Sequence, residues 1–294
     1  MNSQKKCIKQ IVLTILVVAA LNIVIVFTFT VYEPTVALAA NNDADKKDEI
    51  YYGSFAGGGL VSSEKETFTY ARKTTESYFI NQSFPKYYNA NGDLKNTCAN
   101  VGGANIIGYY DRFFTNLIPD CEPGYYTTRY HYYPMGKLGD EVLSLIRDLY
   151  GRMQTNIDGP GSTQTQYENG LASFVKSKGW TVTYSSVMGD KKLDLEKVKE
   201  QFKKGNPITL FLSNFNFTDV IDDGKTVTWN KLLYNDNHIA VAYGYVKEVY
   251  YDSNGKVIKN VVYLYTASGM QGVNGNYIVG LYGDIVDAEG VHIA

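Results

Sequence analysis

The stretch CANVGGANIIGYYDRFF, residues 98–114, constrains this chain more than any other. Val101, Ile106, Tyr109, Tyr110 and Phe113 recur at helical spacing. Between them stand Ala99, Gly102, Gly103 and Ala104, which have almost no side-chain bulk. A helix of this composition lets its neighbours approach closely, so it is expected at the centre of a core rather than on a surface. Any fold of this chain therefore has to wrap a helix that begins at Cys98.

The remaining elements are expected to supply that wrapping. LGDEVLSLIRDLYG (138–151) predicts an amphipathic helix with Leu138, Val142, Leu145, Ile146 and Leu149 on one face and Gly151 as a stop. GSTQTQYENGLASFVKSKGW predicts a second, led by Ser/Thr caps, with Leu171, Phe174 and Val175 inward and its end at Gly179. LDLEKVKEQFKKG (193–205) predicts a shorter one. Strands follow. TVTYSSV alternates, and PITLFLS (207–213) is a short apolar run of buried-strand type. HIAVAYGYVKEVYY and VIKNVVYLYT flank DSNGK, a hairpin turn because Asn-Gly accepts positive φ. NYIVGLYG (276–283) is expected as a last strand. Helices first and antiparallel strands after describe an α+β fold. No linker, charge block or repeat interrupts 64–294, which reads as one domain.

Ahead of that domain, Lys5, Lys6 and Lys9 precede the apolar run IVLTILVVAALNIVIVFTFTVY, and Ala37 and Ala39 supply small residues. This is the pattern of a signal peptide over 1–39. The run is also long enough to span a bilayer, so an uncleaved anchor is the alternative. Either way the remainder is expected outside the cytoplasm, secreted or at the cell surface. NNDADKKDEI and SFAGGGLVSS read as a flexible linker over 40–63. A formal net charge of -2 over 294 residues gives no electrostatic case for nucleic acid or an anionic membrane as partner. Membrane contact is expected only through an uncleaved N-terminal segment. There is no HExxH and no CxxC, and the glycines of GSFAGGGL have no strand ahead of them, so neither a metal nor an organic cofactor is expected. Oligomeric state is not legible.

Cys7 falls in the signal, leaving Cys98 and Cys121. Two cysteines in an oxidising compartment pair if they can meet. A helix of about sixteen residues separates these two by roughly 24 Å at ~1.5 Å per residue. A disulfide needs Cα atoms within about 7 Å. Residues 115–120, at ~3.5 Å each, barely span the return. Cys98 is thus expected as a thiol. A helix N-terminus and a nearby imidazolium lower a thiol's pKa below its usual value of about 8.5, which makes Cys98 a candidate nucleophile. An inert buried cysteine is the plainer alternative. Three histidines are available. His131, in RYHYYP, and His292, near the C-terminal end, are expected on the surface. His238, in YNDNHIAVAYGY, stands where an apolar strand should start at a sheet edge, a rigid place for an imidazole, and is the candidate base. Gln82 and Asn96 are the side-chain amides available to hold an oxyanion, though Asn96 suits a turn before the helix.

Taken in order, INQ, NTCANVGGANIIGYYD and NHIAVAYGY resemble the papain-like cysteine peptidases, and among them the bacterial branch containing bacteriocin-leader peptidases and streptopain. GSTQTQYENGLASFVKSKGW and LEKVKEQFKKGNPITLFL, between Cys and His, are similar to the same branch. The resemblance spans about 78–283. It implies a papain-like fold, with the Cys-bearing helix packed on a C-terminal antiparallel sheet. It further implies hydrolysis of a protein or peptide substrate through an acyl-enzyme, without a cofactor. Cys98 matches the nucleophile, His238 the general base and Gln82 the oxyanion amide. The chain departs from the family at the residue that orients the histidine. YLYTASGMQGVNGNY has Met270 where Trp stands in the family, and no Asn or Asp at the expected place. Counting the hairpin from Asn254-Gly255 puts Gln271 opposite His238; a one-residue bulge points to Ser268 or Thr266, and Asn274 lies slightly further on. The alternatives are a non-catalytic binding module of the same fold and a Cys–His amidase or acyltransferase.

Overall fold

Helix α1, Cys98–Asp111, is buried along its whole length. The computed structural model describes residues 50–53, 59–80, 84–89, 93–114, 117–118, 140–273 and 275–294. The N-terminal stretch read as signal or anchor, together with Gln82, Cys121, His131 and Asn274, lies outside the described residues. Among the described residues no helix is long and apolar enough to cross a membrane.

Two adjacent glycines let α1 sit between other elements. A Cβ on Gly102 would meet Ile239 Cγ2 at 3.1 Å, and one on Gly103 would meet Met153 Cε at 3.0 Å. Several polar groups that α1 carries into the core find partners. Asn100 Nδ2 donates to Thr155 Oγ1 at 2.9 Å, Asn105 Oδ1 accepts from the Tyr87 amide at 2.7 Å, and the Tyr109 and Tyr110 hydroxyls each donate to a backbone carbonyl at 2.8 Å. The helix is shorter than the spacing suggested. The Asp111 carboxylate accepts from the Ile118 amide at 2.7 Å and turns the chain, leaving Phe113 exposed rather than inward.

Three further helices follow among the described residues: α2, Asp140–Arg152; α3, Gln164–Ser177; and α4, Leu195–Lys203. Val142, Leu145, Ile146 and Leu149 of α2 are buried as their spacing predicts, as are Leu171, Phe174 and Val175 of α3. Thr163 and Gln166 form a reciprocal capping box at the start of α3, and Asp194 caps α4. Gly179 and Gly205, just past α3 and α4, both lie at positive φ, as helix-ending glycines do.

The sheet is antiparallel throughout its described pairings. Its strands are β1 Leu60–Thr69, β2 Arg72–Phe79, β3 Val182–Ser186, β4 Ile208–Asp222, β5 Thr226–Tyr251, β6 Val257–Ala267, β7 Asn276–Ile278 and β8 Asp284–Ile293. Their order is β1-β5-β6-β7-β4-β8-β3, with β2 also on β5. Because β4 pairs with β5 as well, β4, β5, β6 and β7 close into a ring. The fold is thus mixed α+β, with the helices packed against a C-terminal antiparallel sheet. The sheet extends beyond what the sequence suggested. β1 starts at Leu60, inside the stretch 40–63 read as linker, and Tyr52 in that stretch is buried. β4 and β5 run on to a turn at Asp223, whose carboxylate takes the Lys225 and Thr226 amides. NYIVGLYG is strand only over Asn276–Ile278, and Gly280 and Gly283, both at positive φ, turn the chain into β8.

The approach of α1 to β5 sets up a direct test. Gly102→Leu should lower stability by about 2 kcal/mol or more, because the added carbons have to displace Ile239 and Val241. Urea unfolding reads this, and an unshifted midpoint would mean that the helix does not lie so close to the strand.

Candidate active site

Cys98 opens α1 and is fully buried, and its sulfur is a thiol. Thr97 ahead of it makes no side-chain cap, so the helix N-terminus is not satisfied by the usual hydroxyl. Asn96 lies at φ 57, and its amide donates to Asn156 Oδ1 at 2.7 Å. Asn96 therefore ties the turn before the helix to the loop after α2.

His238 was expected at a strand start on a sheet edge. It lies instead in the middle of β5, opposite Leu212 of β4. The polar run Asn235-Asp236-Asn237, read from sequence as the approach to the strand, is an irregularity within it. The β4–β5 register shifts between Ser213 and Phe215, where Asn214 takes φ 43. Such a bulge bends both strands just ahead of the histidine.

The His238 ring is completely buried. It stacks on Phe215 at 4.8 Å between centroids and meets the edge of Phe217 at 5.8 Å. Its Nε2 lies 2.7 Å from the Ser268 carbonyl oxygen. A carbonyl only accepts, so Nε2 carries the proton and the neutral ring keeps its lone pair on Nδ1. Nδ1 makes no hydrogen bond among the described residues. Burial, opposed in part by the Ser268 carbonyl, lowers the imidazole pKa to about 4, so the ring is neutral near pH 7.

Of the four residues considered for orienting the histidine, Ser268 makes the contact, and makes it through its backbone. Its hydroxyl turns inward to donate to the Val273 carbonyl at 2.7 Å, and the Met270 amide donates back to it at 3.2 Å. Thr266 donates to the Gly275 carbonyl at 2.9 Å. These hydroxyls hold the loop after β6 and so fix the Ser268 carbonyl against the ring. Gln271 is exposed, and Asn274 is outside the described residues.

No hydrogen bond joins Cys98 to His238, and helix and histidine are linked through the Ser268-Gly269 corner. Val101, one turn after Cys98, lies beside Gly269, which follows Ser268. Ile239 and Val241 turn their side chains toward Gly102, whereas His238, one residue earlier, projects to the other side of the strand, onto Phe215 and Phe217. His292 is exposed, as expected, with Nδ1 3.2 Å from Asn206 Oδ1. Among the described residues no three His, Cys, Asp or Glu side chains cluster as a metal site.

A residue that the sequence reading passed over belongs to this region. Tyr52 is 1% exposed, with its ring edge-on to Phe211 at 5.3 Å. Burial raises its pKa, and the neighbouring Asp287 and Cys98 raise it further. Asp287 in turn accepts from Gln164 Nε2 at 2.8 Å. Tyr52 pairs through both backbone hydrogen bonds with Ser162, just ahead of α3. The one sequence signal for it was a pair of tyrosines set in an otherwise charged stretch, DKKDEIYYG. No family model matches this chain, and no curated protein matches it significantly.

Proposed function

We propose that this protein is a papain-like cysteine peptidase, secreted or held at the cell surface, that cleaves protein or peptide substrates. Cys98 is the nucleophile and His238 the base; the thiol attacks the scissile carbonyl, and His238 takes its proton and returns it to the leaving amine. The Cys98 amide and the Gln82 side chain receive the oxyanion. The observation that carries this reading is the tautomer of His238. With Nε2–H held by the Ser268 carbonyl, the basic Nδ1 is unprotonated and uncommitted. A backbone carbonyl does here what a side-chain amide or carboxylate does in the family the sequence resembles, namely fixing the ring and its proton. Val101, in the first turn of the Cys98 helix, lies against Gly269 next to that carbonyl, which supports the same reading.

A second reading, a non-catalytic binding module of the same fold, is favoured by one observation: Cys98 is fully buried and makes no hydrogen bond to His238. Hydrolysis separates the two. The full chain should cleave unfolded casein or a mixed peptide library. Cys98→Ala should abolish the cleavage, a loss of about 10⁴-fold or more for removal of a covalent nucleophile. Equal cleavage by the Ala variant, or none by the unaltered chain, would sink the peptidase reading. Products that join an amine rather than water would assign the same pair to acyl transfer.

A further inference from the structure

The short segment Ile50–Gly53 runs along the seam between the helices and the sheet. On the helical side, the Tyr52 amide donates to the Ser162 carbonyl at 2.9 Å and the Ser162 amide donates back at 3.1 Å. On the sheet side, Asn237, next to His238, donates its side-chain amide to the Tyr51 carbonyl at 3.3 Å. Reciprocal backbone bonds plus a side chain sunk in a pocket are how an extended peptide is bound by strand addition.

The surroundings are cut to admit a backbone. Gly161 lies at φ 122, and a Cβ there would run into the Tyr52 carbonyl. A Cβ on Gly53 would stand 2.7 Å from the Pro160 carbonyl oxygen and 3.1 Å from Asn96 Cβ, two residues before Cys98. The position after the aromatic residue thus takes only glycine. The Tyr52 ring is buried edge-on to Phe211, its hydroxyl is close enough to Cys98 to be shifted by it, and Cys98 is 0% exposed.

We propose that Ile50–Gly53 is the resident occupant of a peptide-binding groove. The groove takes an extended peptide with a Tyr-sized aromatic side chain followed by glycine, and this strap has to leave before Cys98 is reached. The proposal rests on Cys98 being the nucleophile, and it makes aromatic–Gly sequences the preferred substrates.

The test reads thiol access rather than hydrolysis. Iodoacetamide labelling of Cys98 in the full chain, followed by mass spectrometry, should be slow. Tyr52→Ala, which empties the pocket, and Gly161→Ala, which expels the strap from the opposite side, should each speed it by roughly tenfold to a hundredfold, the ratio expected when a rare open state becomes the main one. The synthetic peptide Ile-Tyr-Tyr-Gly should slow labelling again in Tyr52→Ala but not in Gly161→Ala, where the added methyl blocks it too. Variants that keep the circular dichroism of the parent but label no faster would overturn the proposal. Because either variant can fail to fold, the unaltered chain supplies a further measure. Cys98 labelling should be slowed, relative to an unfolded chain, by the same factor as hydrogen exchange of the Tyr52 and Ser162 amides; slowing as large as that of globally protected amides would overturn it. Faster labelling without any peptide cleavage upholds the strap and removes the peptidase reading. Cleavage that needs Cys98, with labelling indifferent to the strap, does the reverse.

Discussion

His238→Gln is expected to lower cleavage of unfolded protein by about a thousandfold or more at pH 7, the scale of losing a positioned general base. Glutamine is the informative replacement. Its side-chain N–H can still donate to the Ser268 carbonyl, which now takes Nε2–H at 2.7 Å. It has no basic nitrogen to stand in for Nδ1. The substitution therefore separates holding the seam together from moving a proton. Melting temperature and circular dichroism establish that the variant is folded, and the rate of Cys98 labelling shows whether the thiol has become less reactive. A variant that cleaves within a few-fold of the parent would show that His238 is only a core ring stacked on Phe215. The proton route also requires Nδ1 to face the sulfur during the reaction. In the strapped state it does not bond to it, so strap release and ring approach belong to one opening of the seam.

The helices were legible because each carries its own signal. The apolar stripe of α2, the Thr163–Gln166 box of α3 and the Asp194 cap of α4 are local, and local rules found them. The strands that escaped notice are those whose partners lie far away in sequence. β1 reads LVSSEKETFT and β2 reads RKTTESYF; both are largely exposed, and they exist because the long β5 offers them an edge to pair with. Their ion pairs follow the same logic: Lys231 and Lys259 reach Glu66 only once the strands are aligned. The site divides in the same way. Cys98 announced itself through the helix behind it, and His238 through the strand it sits in. The partner of His238 was not legible, because a backbone carbonyl has no residue type. Hairpin counting came within reach of it only by admitting a bulge. The register does shift, between Ala242 and Gly244 and again between Tyr250 and Tyr251. Nor does composition reveal that the tyrosine pair in a charged stretch folds back against Gly159 and Ser162; that depends on Gly161 leaving room for the Tyr52 backbone.

Stability should fall by about 3 kcal/mol as the pH drops from 7 to 4, and His238 is the cause, since each tenfold change in proton affinity is worth about 1.4 kcal/mol. In the unfolded chain the imidazole takes up its proton near pH 6.5; in the folded chain, burial holds it back to about pH 4. Between those values the unfolded state binds a proton that the folded state does not, so acid favours unfolding. The contribution is fully present above pH 6.5, declines as the pH falls and levels off below about 4. Carboxylates act in a different window. Glu66 is held low by its hydrogen bond from Lys259, and Glu76 by its bond from Lys199, so whatever they add is lost as the pH falls through the ordinary carboxylate range and below it. Urea unfolding at pH 7 and at pH 4.5 measures the His238 window. His238→Phe, which keeps a ring on Phe215 and cannot be protonated, should flatten it. A parent profile already flat between those pH values would mean that the imidazole is not buried as described. The same titration bears on catalysis. A ring that stays neutral down to pH 4 cannot hold Cys98 as a thiolate while the strap is in place. Water entering as Tyr52 leaves would bring the imidazole back toward 6.5 and with it the ion pair that a thiol nucleophile needs. Strap-releasing variants should therefore lose most of the acid-side slope along with their slow labelling, and a slope unchanged in Tyr52→Ala would separate the two events.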